Sequence, residues 1–298
     1  MIHNTRKALL LVLAIGVLWG LNWPAVKIIL GEVPPLTLRA VGFSISAILL
    51  YLAARFMGQS LLPPPNERLP LAIAGWLTIL GFNSLTAFGQ LLTETSKAVI
   101  IAFTMPLWAT LFAVVFLKEA FTWVRAASIA IGISGLYVLV SDDIGALIKA
   151  PVGPILILGA ALSWAAGTVA LKARKWTVQP LSSAAWMILC SVPLVLLAAL
   201  IFETPENLVW PSTVVVWTFV YHIVFPTVVC YAVWASVVAK LPASIVAIGT
   251  LSIPITGVLS AGVILGDAFT ATKIIALALI ILSISLTFVE LKDVKSSS

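Results

Sequence analysis

The chain is predicted to be an all-α polytopic membrane protein, with ten transmembrane helices in two inverted five-helix repeats around a central cavity. Three observations predict this: the composition, an internal repeat, and an odd number of spans in each half. Of 298 residues, 61% are hydrophobic and only 9% are charged, with a mean hydropathy of +1.16. A soluble domain carries roughly 25% charged residues. This chain cannot cover itself with polar groups, so its solvent is lipid. In lipid the backbone must satisfy its own hydrogen bonds, which leaves helices or a closed barrel. The apolar runs are about 20 residues long and lack two-residue alternation, so they are helices.

The repeat is carried by Ser96–Arg125 (SKAVIIAFTMPLWATLFAVVFLKEAFTWVR) and Ser244–Lys273 (SIVAIGTLSIPITGVLSAGVILGDAFTATK). At an offset of 148, Ser96 matches Ser244, Thr104 matches Ser252 and Pro106 matches Pro254. Glu119 matches Asp267, Ala120-Phe121-Thr122 matches Ala268-Phe269-Thr270, and Arg125 matches Lys273. Trp19 and Lys27 match Trp164 and Lys172 at an offset of 145. The chain is one unit written twice, 1–148 and 149–298.

In order, the first half contains five apolar spans. Ala8–Leu30 follows Arg6-Lys7. Leu36–Met57 follows Pro34-Pro35, and Leu69–Leu92 follows Pro63-Pro64-Pro65. Lys97–Leu117 has Pro106 at its centre and ends in Lys118-Glu119, and Trp123–Val140 completes the half. The second half, entered between Gly145 and Gly153, contains Gly153–Leu171 and Leu181–Phe202, then Thr213–Ala239 after Pro205 to Pro211. Ser244–Leu265 follows Pro242, and Ala271–Glu290 ends the series. Proline and glycine punctuate the short connections. Five is odd, so the second half enters the membrane from the side opposite to the first, and the repeats are inverted. Small residues four apart mark packing seams: Ser128/Gly132, Ser163/Gly167 and Gly257/Ala261.

With the N-terminus cytoplasmic, that side holds 12 of the 17 basic residues: Arg6, Lys7, Arg55, Arg68, Lys118, Arg125, Lys172, Arg174, Lys175, Lys240, Lys292 and Lys295. The other side holds Lys27, Arg39, Lys97, Lys149 and Lys273, with Asp142, Asp143, Glu203 and Glu206. The positive-inside rule places both termini in the cytoplasm of a plasma (bacterial inner) membrane protein. The net charge of +6 is spread singly between spans, which speaks against nucleic acid. Cys190 and Cys230 lie in apolar segments with no histidine cluster, so no metal is expected. Arg6-Lys7 imitates a signal peptide, but no small-x-small cleavage site follows. There is no Walker, HExxH or GxSxG motif, so no cofactor is expected and the chain is read as no enzyme.

Ten spans in two halves, with an acidic residue after the fourth helix of each, resemble the drug/metabolite transporter superfamily. Leu-Trp-Gly-Leu-Asn-Trp at Leu18–Trp23 and Lys118-Glu119 resemble its EamA-domain branch. The nearest subgroup is the YddG-type aromatic amino acid exporters. The resemblance covers essentially the whole chain. It implies a basket of ten helices, a cavity opening alternately to each side, and export of small metabolites. The second half departs from the pattern: Trp164-Ala165-Ala166-Gly167 replaces Trp19–Asn22, and Gly266-Asp267 replaces Lys118-Glu119.

A carrier site lies near the midplane between repeats. The substrate-binding candidates are Trp19, Asn22, Asn83, Thr104, Trp108, Trp164, Thr168, His222 and Tyr231, with Gln90 nearer a helix end. Asn22 and Asn83 are buried amides that either bind cargo or bridge helices. Trp19 and Trp164 offer apolar faces and an indole N–H, or else simply fill space. His222 either relays a proton or hydrogen-bonds, and the lack of a mid-span acid favours the second. Pro106 and Pro254 bend their helices as hinges. Glu119 and Asp267 are local pairs or gates at opposite faces, or else simply solvated helix ends. No Lys or Arg is expected at mid-depth, which disfavours phosphorylated cargo.

The favoured function is export of small, preferably aromatic or apolar, amino acids by alternating access and uniport. The partners are a small-molecule substrate and the bilayer; a monomer suffices, and the oligomeric state is open. A cationic drug exporter is the alternative. An intramembrane enzyme built on His222 with Cys190 or Cys230, or an assembly subunit, is the reading from another class.

Overall fold

The computed structural model describes residues 5–141, 148–203, 210–237 and 243–296. Asp142, Asp143 and Glu206 lie outside the described residues, as do the side chains of Arg6, Lys7, Lys240, Lys292 and Lys295. Eight helices among the described residues are long and apolar enough to cross a membrane. The first five are α1 (Thr5–Ile29), α2 (Pro35–Phe56), α3 (Pro65–Leu92), α4 (Thr95–Leu117) and α5 (Trp123–Ser141). The others are α6 (Val152–Lys172), α7 (Pro180–Phe202) and α8 (Thr213–Trp234). Two further helices, α9 (Ala243–Ser260) and α10 (Ala271–Ser296), have shorter apolar stretches among the described residues, Gly249–Leu265 and Ala271–Thr287. Several helices begin at the prolines that punctuate the sequence. Pro35, Pro65 and Pro180 occupy the first turn, where the missing N–H has no intrahelical partner to lose. For that reason α3 starts at Pro65, ahead of the apolar run at Leu69.

The helices pack across the halves: α6 lies on α3 and α4, α1 on α8 and α9, α2 on α7, and α5 on α10. Exchanging the halves leaves these pairings unchanged. The α1–α9 seam is built by glycine: a Cβ on Gly16 would lie 1.7 Å from Ser252 Oγ, and one on Gly20 would lie 2.5 Å from Thr256 Cβ. On α6, a Cβ on Gly167 would meet Thr78 at 2.4 Å, and the Ser163 hydroxyl donates to the Leu77 carbonyl at 2.7 Å. Ser128 and Ser283 exchange hydroxyl-to-carbonyl bonds of 2.8 and 2.7 Å across α5 and α10. Small residues thus let backbones approach and polar groups bridge in a solvent that offers no hydrogen bonds. Outward faces carry exposed Leu200, Phe202 and Trp217, with Trp123 and Trp210 at the starts of helical spans, as aromatic belts require.

The ends of the helices repeat in detail. Lys118 and Gly266 both take a left-handed conformation, with φ of 57° and 78°. Each is closed by a six-residue bond, Glu119 N–H to Ala113 O at 3.3 Å and Asp267 N–H to Ala261 O at 3.4 Å. Arg125 then donates to Ala120 O, and Lys273 to Ala268 O, at 2.8 and 2.9 Å. Glu203 accepts from Leu36 N and Thr37 N at the start of α2, and Gln59 accepts from Ser182 N at the start of α7. In α3 and α8 the helix widens into a π-helical turn, at Trp76–Gly81 and Ile223–Val229. Such turns re-aim side chains and release carbonyls.

Candidate binding cavity

A cavity of about 660 Å³ lies between the halves. Its walls carry two aromatic groups. Trp19 of α1 meets Tyr231 and Trp234 of α8 edge to face, with centroids 5.9 and 5.2 Å apart. Phe82 meets Trp164 at 4.9 Å and Trp23 at 6.5 Å, and Trp23 reaches Phe103 at 6.4 Å. The cavity is open where Lys172, half exposed, and Glu119 stand. It is closed at the opposite end, where Arg39 and Gln90 are each 2% exposed.

The π-helical turns supply part of the polar lining. Pro226 lacks an N–H, which leaves the His222 carbonyl without its helical donor, and the Thr227 hydroxyl takes that carbonyl at 3.0 Å. The Trp19 indole N–H donates to Pro226 O at 2.8 Å. Its hydrogen bond is therefore spent on the protein, contrary to the expectation that it faces cargo, and Trp19 offers only its ring.

Arg39 is the residue that sequence reasoning missed. The sequence places it at the outer end of a span, with no cation expected at mid-depth. In the structure its side chain is buried and lines the cavity. Nε donates to Asn83 O at 2.9 Å and Nη1 lies 3.4 Å from His222 Nε2. His222 Nδ1 lies 2.6 Å from Asn22 Oδ1. An amide oxygen only accepts, so Nδ1 carries the proton, and Nε2 accepts from the guanidinium. The relay Asn22–His222–Arg39–Asn83 holds a neutral imidazole and a fixed cation. The signal was present in the sequence, because an arginine four residues inside an apolar span is rare unless it faces a polar interior. Depth along a helix was read, but the direction of a long side chain was not.

Trp19, Asn22, Asn83, Trp164, Thr168, His222 and Tyr231 all line this cavity, and so does Gln90, whose buried Oε1 has no partner among the described residues. The Lys27 ammonium donates to the Gln90 backbone carbonyl. Thr104 and Trp108 do not line the cavity. The Trp108 indole donates to Thr104 Oγ1 at 3.0 Å, and Thr104 donates to Ile101 O at 2.7 Å. The pair braces the break at Phe103-Thr104 between the two segments of α4, Thr95–Ala102 and Met105–Leu117. Pro106 lines the cavity and stands in the first turn of Met105–Leu117, four residues after Ala102, to whose carbonyl it offers no N–H, and the first segment of α4 ends there. Pro254 lies within α9, away from the cavity lining, while Thr250, one turn before it, is on the wall. Both ring nitrogens of His222 are engaged by Asn22 and Arg39, so no His–Cys pair assembles here.

Glu119 links the halves at the mouth, with Lys172 at 2.5 Å and Arg125 at 2.9 Å. The hydrogen bond from Lys172 holds its carboxyl below the usual range, against a smaller opposing effect of burial. Its repeat partner Asp267 accepts from Ser96 N at 2.7 Å and lies within electrostatic reach of Lys27, the counterpart of Lys172. Glu94 and Lys273 form a further pair at 2.6 Å.

Apolar helices packed half against half around an aromatic cavity are the architecture of a membrane transporter. The chain belongs to the EamA-like transporter family, which matches residues 6–141 and again 151–289. The resemblance read from Leu18–Trp23 and Lys118-Glu119 is thereby met. The chain is 26% identical to a probable amino-acid metabolite efflux pump of Escherichia coli K12, with 93% of each chain covered. It is 22% identical to the uncharacterized transporter YoaV of Bacillus subtilis, over 92% of this chain and 94% of that one. A crystal structure at 22% identity shares the fold with a TM-score of 0.68, covering 98% of this chain and 99% of the other.

Proposed function

We propose that the protein exports small amino acids, with aromatic or apolar side chains preferred, by alternating access and without ion coupling. The observation that carries the reading is the aromatic-walled cavity between the halves, whose volume of about 660 Å³ suits one small metabolite. Aromatic walls accept an apolar side chain, and polar groups gather at the closed end. Pairings that survive exchange of the halves support ten helices in two inverted repeats, 1–148 and 149–298. The charge bias then makes the Glu119–Lys172 face cytoplasmic, along with both termini, and this state inward-open. Trp19, Asn22, Asn83, Trp164, Thr168, His222 and Tyr231 form the binding site. Thr104, Trp108 and Pro106 shape the break in α4. Glu119 and Asp267 tie helices of opposite halves at opposite faces, and Pro254 is a hinge.

Counterflow in proteoliposomes tests this. Labelled tryptophan, threonine and a quaternary ammonium dye are compared with no ion gradient. Saturable amino acid exchange is expected. Exchange of the dye alone would move the reading to drug export, and exchange that depends on a proton gradient would end the uniport reading.

A further inference from the structure

Four charged side chains line the cavity: Arg39, Arg125, Lys172 and Glu119. At the mouth, Glu119 is shared by Lys172 and Arg125, its oxygens 2.5 and 2.9 Å from them. At the closed end Arg39 stands alone: among the described residues no carboxylate comes within ion-pair distance of its guanidinium. A buried cation without a counter-charge is costly in a medium of low dielectric. Its placement is not loose, since Asn83 and the Asn22–His222 relay hold Nε and Nη1 in fixed directions. Those two bonds use two of five N–H groups, and the planar fork left over matches a carboxylate.

We infer that Arg39 is the anchor for a carboxylate, so that cargo is recognised as a monoanion with an apolar or aromatic body, and its amino group is dispensable. This rests on the carrier reading above and narrows its substrate class. The carboxylate neutralises Arg39 at the closed end, and the body lies back along Phe82, Trp164 and Trp19 toward the mouth. Among the described residues the acid lining the cavity is Glu119, already shared by Lys172 and Arg125, so an amine lacking the carboxylate meets an excess of positive charge. One guanidinium supplies one unit of charge, which suits a carboxylate better than a phosphate dianion.

The test measures binding to the purified full-length protein in detergent and, separately, competition against phenylalanine counterflow. The probes are phenylalanine, 3-phenylpropionate, 2-phenylethylamine and phenyl phosphate. Phenylpropionate should bind within about threefold of phenylalanine, and phenylethylamine at least tenfold more weakly, the range expected for losing one hydrogen-bonded charge pair. Arg39→Gln should lose both carboxylates by about tenfold or more, and Arg39→Lys should recover part. Tight binding of phenylethylamine, a preference for phenyl phosphate, or no binding of phenylpropionate to the wild type would each overturn the inference, and none of these needs a variant to fold. Carboxylate binding without any counterflow would leave the anchor standing and remove the carrier reading. Counterflow blocked by the amine but not by phenylpropionate would do the reverse.

Discussion

Lys118 and Gly266 adopt the same left-handed backbone at matching places in the two halves, and only one of them is the residue suited to it. A Cβ in that conformation crowds the following carbonyl at a cost of about 1–2 kcal/mol. Lys118→Gly should therefore raise the melting temperature of the purified protein, and Gly266→Ala should lower it by a comparable free energy, about 1 kcal/mol. Nothing lies within 4 Å of a Cβ on Gly266, so the second effect isolates the backbone term. No change in either variant would place the strain elsewhere. Glu119 yields a pH prediction at the same scale. Its carboxyl titrates below the ordinary 4.5 because Lys172 donates to it. A depressed acid contributes stability that is complete above the unfolded value and is lost as pH falls through the folded one. Thermal stability should thus differ little between wild type and Glu119→Gln in how it responds from pH 8 to 5.5. Only below about pH 4.5 should the wild type lose its advantage over the variant. A crossing near pH 7 would assign the titration to another group.

At the scale of elements, α1 and α9 touch through glycine, and the seam tolerates no added volume. A side chain at Gly20 meets Thr256 Cβ at 2.5 Å and the Gly257 backbone nitrogen at 3.0 Å, and backbone does not swing aside. Gly20→Val should destabilise by about 1–3 kcal/mol, read as a lower melting temperature in detergent. An unchanged melting temperature would mean that the helices separate freely. Pro106 carries the opposite expectation. Standing four residues after Ala102, where the first segment of α4 ends, it withholds an N–H from that carbonyl, so Pro106→Ala should raise the melting temperature, stabilising by at most about 3 kcal/mol. An unchanged melting temperature would mean that the Trp108–Thr104 bond holds the break without the proline. The length of the apolar runs and the punctuation by proline placed the eight long spans in advance. They did not show the π-helical turns, because one extra residue per turn leaves no mark on an apolar sequence.

For the whole molecule, the open end of the cavity and the orientation make one joint prediction. Ala109→Cys and Ala113→Cys, on the cavity side of α4, should react with a membrane-impermeant maleimide applied from the cytoplasmic side. Gln90→Cys, at the closed end, should resist it from outside until cargo is supplied. Labelling of Ala113→Cys from outside alone would invert the topology. Class, membrane setting and the aromatic lining were legible along the chain, because each is a local property: hydropathy over a span, a motif at a helix end, a tryptophan far from either interface. Tertiary structure decided the rest. Thr104 and Trp108 turned toward each other, Trp19 gave its N–H to Pro226, and Arg39 swung from a helix end into the cavity to meet His222 and Asn22. The physical reason is one of direction. A helix's hydropathy is a sum over residues and does not depend on which neighbour each side chain meets. A hydrogen bond in lipid depends on little else, and its partners here lie as far as 207 residues away.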